Sequence, residues 1–325
     1  MTLLDEAHHA AGSFVGNVLS VTTFGGGHIN HTFLVVANTG EYVLQRLNMA
    51  VFTDVDGVMR NIRSVLLHLN GRLVPELVDA AGPWRLWRRV PNAGPLTQAT
   101  STTAASAGEL LGHFHTLVAD LEPTTLTETL PNFHDATRRL DALRGSIATD
   151  RHGRARLARR EIDALLAAAP LADRADALTA TVPERVAHYD AKLDNVLFRG
   201  DDAVSLVDLD TLMPGAWFWD VGDLLRTAAT RGAEDDPDQS AIDPELYAAV
   251  LGGYRRGARD VLDPVEVEAL SDAGAVVTYE QAVRFLTDWL DGDVYYRTFR
   301  PDQNLDRARA QLRLLASMPT TVRWS

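Results

Sequence analysis

The spacing of apolar residues changes abruptly near residue 91, and that change restricts the chain to folds with two unlike parts. Before it, the apolar positions fall in short β-rich runs at 14–24, 32–37 and 41–47, the last two joined by the turn-forming Asn38-Thr39-Gly40. These predict an antiparallel meander. A helix is expected over 56–69, where Val58, Ile62, Val65, Leu66 and Leu69 repeat at helical spacing, and two more strands at 74–78 and 84–90. Pro91-Asn92-Ala93-Gly94-Pro95 then reads as a linker. Beyond residue 101 the pattern is helical over 103–119, 135–169, 243–260, 264–290 and 303–316. Only 184–226 has a different texture, with short strands, a hairpin around Arg199-Gly200-Asp201-Asp202 and polar residues gathered at strand ends. The expected architecture is α+β and bilobal, with a small β-rich lobe over 1–90 and a mainly helical lobe over 91–325.

Composition narrows the function. A chain of 325 residues with 46% hydrophobic content has room for two domains at about 100–200 residues each. No apolar run approaches the roughly 18 residues of a membrane span, and residues 1–11 lack the basic-then-apolar order of a signal peptide, so a cytoplasmic protein is the expectation. The absence of cysteine excludes disulfides, thiolate metal sites and cysteine nucleophiles. A net charge of −13 argues against nucleic acid or an anionic membrane as partner. Lys192 is the single lysine among 31 basic residues, which suggests a site that needs a compact ammonium where an arginine fork will not serve. The basic run 151–160 reads as a solvated helix face, and His113 and His115, in an apolar helical run, as packed or exposed residues.

The strongest motif is His188-Tyr189-Asp190-Ala191-Lys192-Leu193-Asp194-Asn195, followed 18 positions after Asp190 by Asp208 at the end of an apolar strand. That is the spacing of a kinase catalytic loop and its metal-binding aspartate. Phosphoryl transfer needs a carboxylate to accept the hydroxyl proton, oxygen ligands for Mg²⁺, and a cation near the transferred group. Asp190 fits the first need, Asn195 and Asp208 the second, and Lys192 the third. The competing readings are loop capping, and a hydrolytic metal site built from His188, Asp190, Asp208 and Asp210. A glycine-rich turn, Gly25-Gly26-Gly27-His28-Ile29-Asn30, lies between two early strands, where glycines let backbone N–H groups approach phosphates; ordinary hairpin glycines explain it equally well. Asp220, at a helix start, is expected to cap that helix or to brace the catalytic loop.

Taken together these segments resemble the aminoglycoside phosphotransferase and choline kinase group. Within it the similarity is to bacterial N-acetylhexosamine 1-kinases, through Gly27-His28-Ile29-Asn30, Tyr42-Val43-Leu44-Gln45-Arg46 and Pro131-Asn132-Phe133-His134-Asp135. Further matches are Asp208-Leu209-Asp210-Thr211-Leu212-Met213-Pro214-Gly215, Asp291-Gly292-Asp293-Val294-Tyr295-Tyr296 and Asn304-Leu305-Asp306-Arg307. The resemblance implies a protein-kinase-like fold, ATP and Mg²⁺ in the interlobe cleft and a small-molecule acceptor, a sugar, held by the helical lobe. Gly25, Gly26, Gly27 and Asn30 would approach the nucleotide. One departure stands out: the third-strand lysine of the group is replaced by Gln45 or Arg46, and neighbouring strand residues face opposite ways, so one of the two points into the cleft. No acidic partner is evident in the next helix, where Asn61 is the nearest polar residue. For the acceptor, Asp223, Arg226, Asp293, Tyr295 and Arg297 offer polar and aromatic contacts. A pseudokinase that binds nucleotide or sugar without turnover is the alternative from another class, and Gln45 favours it.

Overall fold

The structure, a computed structural model, describes residues 2–25 and 29–319. Its first element is the helix α1 (Leu3–Val15), started by a capping box in which the Thr2 hydroxyl accepts from the Asp5 amide and Asp5 bonds back to Thr2. Residues 14 and 15, expected to open a strand, instead end this helix, because Ala7 and Ala11 lie four apart on one face and pack against the sheet. The strands β1 (Val18–Thr23), β2 (His31–Ala37) and β3 (Gly40–Arg46) form the meander. After α2 (Val55–Leu69) come β4 (Leu77–Ala81) and β5 (Trp84–Arg88). β4 begins three residues later than expected because Val74 is drawn into the large core that α2 and β5 share with the helical lobe. All five strands join one antiparallel sheet in the order β1-β2-β3-β5-β4.

Alternation along the two central strands sorts their side chains. Tyr42 and Leu44 of β3 and Leu86 of β5 form one apolar cluster with α1, while Val43 and Trp87 belong to the core on the opposite face. Arg46 therefore shares the α1 face and pairs with Glu6 at 3.2 Å, whereas Gln45 and its register partner Arg85 face the second lobe.

The helical lobe contains α3 (Ser101–Val118), α4 (Ala136–Thr149), α5 (Arg159–Ala167), α6 (Pro170–Thr181), β6 (Arg185–Ala187), β7 (Val196–Arg199), β8 (Asp202–Leu206), β9 (Met213–Gly215), α7 (Trp217–Ala228), α8 (Pro244–Ala258), α9 (Pro264–Leu290) and α10 (Gln303–Ser317). The single helical stretch expected over 135–169 is broken, since Asp150 and Gly153 adopt left-handed backbone and Pro170 starts a new helix. The basic run 151–160 accordingly lies mostly outside helices, and its Arg154 is half-buried against Asp293. α3 and α8 meet at glycines: a Cβ on Gly253 would sit 1.9 Å from the Ala105 carbonyl oxygen, and one on Gly108 2.1 Å from that of Val250. Only glycine permits so close an approach. α9 carries buried residues on every side and forms the axis against which α4, α6, α7 and α10 pack. Among the described residues no helix is long and apolar enough to cross a membrane.

Candidate active site

The loop between β6 and β7 is held from below by α7. Asp220, fully buried near the α7 N-terminus, accepts the amides of His188 at 2.8 Å and Tyr189 at 2.6 Å. Its own position is fixed by His115, whose Nε2–H donates to it at 3.0 Å while Nδ1 accepts from the Tyr254 hydroxyl at 2.8 Å. Burial pushes the His115 imidazole below its ordinary pKa despite Asp220, so the ring stays neutral and keeps this tautomer. Tyr189 takes left-handed backbone at φ 63°, and its ring lies where a Cβ on Gly215 would sit. His188 is also buried: Nε2–H donates to the Val207 carbonyl at 3.0 Å and Nδ1 accepts from the Asp190 amide at 3.3 Å. Both ring nitrogens are used, which removes His188 from the ligand set of the hydrolytic alternative.

Asp190 lies at the mouth of this loop. The Lys192 ammonium donates to both its oxygens, at 2.8 and 3.0 Å, and the Asn195 amide donates to its Oδ2 at 2.8 Å and its carbonyl at 2.7 Å. Burial alone would raise the Asp190 carboxyl; Lys192 and Asn195 outweigh it and hold the group ionised below its ordinary range. Burial alone would likewise lower Lys192, but Asp190 and Asp208 keep it charged. With its amide Nδ2 donating to Asp190, Asn195 keeps Oδ1 as the side-chain atom able to ligate a cation. Asp208 follows β8 in left-handed backbone at φ 64°. Its carboxyl is pushed up to about 7 by burial and then by Asp210 and Asp190, against Lys192 and Arg85, and its Oδ1 is buried without a hydrogen-bond donor. Such crowding of hard oxygens suits a divalent cation. Among the described residues no three His, Cys, Asp or Glu side chains enclose a metal by themselves, so an ion here would complete its shell with phosphate and water oxygens.

Asp190, Lys192 and Asp208 open into a cavity of about 530 Å³ between the lobes, which Asn30, Asp223, Arg226 and Tyr295 of the expected residues also line; Asn195 is buried behind Asp190, outside that lining. Asn30 donates to Asp210, so the turn after β1 touches the strand-end carboxylates. Gly25 sits in a left-handed turn outside that lining, and Gly26 and Gly27 lie outside the described residues. Three expectations are corrected. Arg46 pairs with Glu6 on the far side of the sheet, so it does not reach the cleft. Asp293 is taken up by Arg154 at 2.7 Å and Asn304 at 3.0 Å, and Arg297 lies over the Phe299 ring at 4.9 Å; neither lines the cavity. Gln45 does face inward, but its Oε1 accepts from Arg85 and Trp87, each at 3.0 Å. Asn61 is engaged with Thr127 and the Leu212 carbonyl.

Other lining residues were missed by sequence reasoning. Arg307 bonds Asn304 at 2.8 Å and approaches Glu234, which also approaches Arg226; Arg226 in turn grips Asp223 at 2.7 Å. Glu280 bonds His134 at 2.7 Å, and one turn further along α9 Arg284 rests against the rings of Phe133, Tyr295 and Tyr296. Charged residues four apart, and so on one face of a helix otherwise buried on many sides, were the signal available for Glu280 and Arg284.

Residues 20–265 match the phosphotransferase enzyme family, and the chain belongs to it. Solved structures agree in fold. Choline kinase LicA from Streptococcus pneumoniae is 14% identical, with a TM-score of 0.62 over 98% of this chain and 100% of that one. A choline/ethanolamine kinase family protein from Mesorhizobium loti is 16% identical, with a TM-score of 0.58 over 96% and 99%. The streptomycin-ATP-APH(2")-IIa ternary complex is 13% identical, with a TM-score of 0.56 over 97% and 99%.

Proposed function

We propose that the protein transfers the γ-phosphoryl group of ATP to a hydroxyl of a small neutral acceptor, a sugar such as an N-acetylhexosamine at its anomeric position. The observation that carries this reading is the convergence of Asp190, Lys192 and Asp208 at one cavity whose far side is lined by paired polar groups, with Asn195 bonded to Asp190 behind them. The ATP bound by the APH(2")-IIa relative supports the choice of donor. In the step itself the acceptor oxygen bonds to the γ-phosphorus, the bridge to the β-phosphate breaks, ADP leaves, and the hydroxyl proton passes to the Asp190 carboxylate. Lys192, held beside Asp190, offsets charge on the moving phosphoryl group. Asn195 and Asp208 would hold Mg²⁺, which when bound supplies charge neutralisation along the phosphates.

The acceptor wall favours a neutral sugar over choline or an aminoglycoside. Asp223 and Glu234 are already paired with Arg226 and Arg307, while Arg284 has aromatic contacts and no ion pair among the described residues. Arg284, offset only in part by Glu280 one turn away, would repel a cationic acceptor, whereas hydroxyl and acetamido oxygens would find a donor. The test is ADP release with Mg-ATP across N-acetylglucosamine, N-acetylgalactosamine, glucosamine, galactose, choline and aminoglycosides. Release that depends on an uncharged sugar supports the reading. Release with choline or an aminoglycoside alone overturns the acceptor, and nucleotide binding without release under any acceptor favours the pseudokinase, which Gln45 would fit.

A further inference from the structure

A kinase cleft needs positive charge from the sheet side of the nucleotide phosphates, and neither Gln45 nor Arg46 delivers it here. Arg85 on β5 comes nearest to that place, behind Asp208 and Asp210 of the cavity wall and outside the lining itself. It sits opposite Gln45 in register, on the same face of the sheet, with its side chain fully buried. Its Nε donates to Gln45 at 3.0 Å, which turns the guanidinium away from the sheet and toward the carboxylates that end β8. There it ion-pairs with Asp210 and lies 3.9 Å from Asp208. One terminal nitrogen contacts the Asp210 carboxylate and the other lies toward Asp208, so the guanidinium is held at the strand-end carboxylates by charge. Among the described residues no other N-lobe cation pairs with Asp208 or Asp210.

The counter-charge is displaced as well. α2 offers Asn61, whose amide is fully engaged, and Asp210 from the opposite lobe takes up the role, steadied by Asn30. A buried guanidinium needs such a partner, because an uncompensated charge in the interior is strongly destabilising. The resulting pair spans the two lobes beside Asp208.

We propose that Arg85 is a positioning residue that supplies the N-lobe positive charge at the phosphoryl-transfer site, with Asp210 as its interlobe counter-ion, so that Mg-nucleotide binding depends on this pair. The inference rests on the kinase reading above. Calorimetric titration of Mg-ADP, which needs no acceptor, tests it in the wild type and in Arg85→Met, Arg85→Lys and Arg85→Met/Asp210→Asn. Arg85→Met should weaken Mg-ADP by tenfold or more, and Arg85→Lys should recover part of the loss. Should Arg85→Met fail to fold, the double variant replaces the buried ion pair by neutral groups; it should regain a melting temperature near the wild type while still binding Mg-ADP weakly. A folded Arg85→Met, or a double variant, with wild-type Mg-ADP affinity overturns the proposal and leaves the pair as a pin between lobes. Wild-type protein that binds no Mg-ADP overturns the kinase reading itself, an outcome distinct from the other two.

Discussion

Arg46 faces Glu6 across the back of the sheet with both side chains about a third exposed, and such surface pairs contribute about 0–1 kcal/mol. Arg46→Ala is therefore expected to leave kcat and the KM for ATP within about threefold of wild type, as measured by steady-state kinetics. Glu280 behaves differently. Burial alone would raise its carboxyl, but His134, Arg284 and Arg139 hold it below its ordinary value of 4.5. A carboxyl depressed on folding stabilises the folded state fully above its unfolded pKa, and that contribution is lost as pH falls through the lower folded value. Glu280→Gln should cost about 1–3 kcal/mol at pH 7, and the difference from wild type should shrink below about pH 4.5 in urea melts followed across pH. The loop from His188 to Asn195 and Asp208 were legible in the sequence because local spacing carries them. Arg85 was not, since its meeting with Asp208 depends on the pairing of β3 with β5 and on the lobes' approach.

At the scale of elements, period-two and period-3.6 patterns located β2, β3, α2, α3, α8, α9 and α10 to within a few residues. They failed where tertiary packing chose between options of similar local preference: α1 from a stretch read partly as strand, β4 shifted toward its C-terminus, and two helices, α4 and α5, in place of one over 135–169. The α3–α8 contact gives a further prediction. Alanine is favoured over glycine inside a helix by about 1 kcal/mol, yet at Gly253 the added Cβ would overlap the Ala105 carbonyl. Overpacking costs about 1–3 kcal/mol or more, so the contact should outweigh propensity. Gly253→Ala is expected to lower the urea midpoint by a net destabilisation of about 1–2 kcal/mol; an unchanged or raised midpoint would show that the helices separate without cost.

For the molecule as a whole, the division into a small sheet lobe and a helical lobe was readable from the change of pattern along the chain, but the helical-lobe wall of the cavity was not, because it is assembled from α7, α9, α10 and the loops between them. The site joins the lobes through Asn30 and Arg85 on one side and Asp210 on the other. A ligand that binds only the folded, two-lobed form stabilises it by mass action, about 2.7 kcal/mol at a concentration one hundred times Kd. Mg-ADP should accordingly raise the melting temperature, and EDTA should abolish most of the rise; equal stabilisation by ADP with and without the cation would remove Asn195 and Asp208 as Mg²⁺ ligands.

The most direct measurement of the central claim is a single-turnover transfer from Mg-ATP to the best sugar acceptor, with Asp190→Asn compared to wild type and Mg-ADP affinity recorded for both. Loss of a positioned general base costs on the order of 10²–10⁴ in rate, and the account predicts a fall of that size with Mg-ADP affinity retained within about threefold. Near-normal transfer by a folded Asp190→Asn would contradict it.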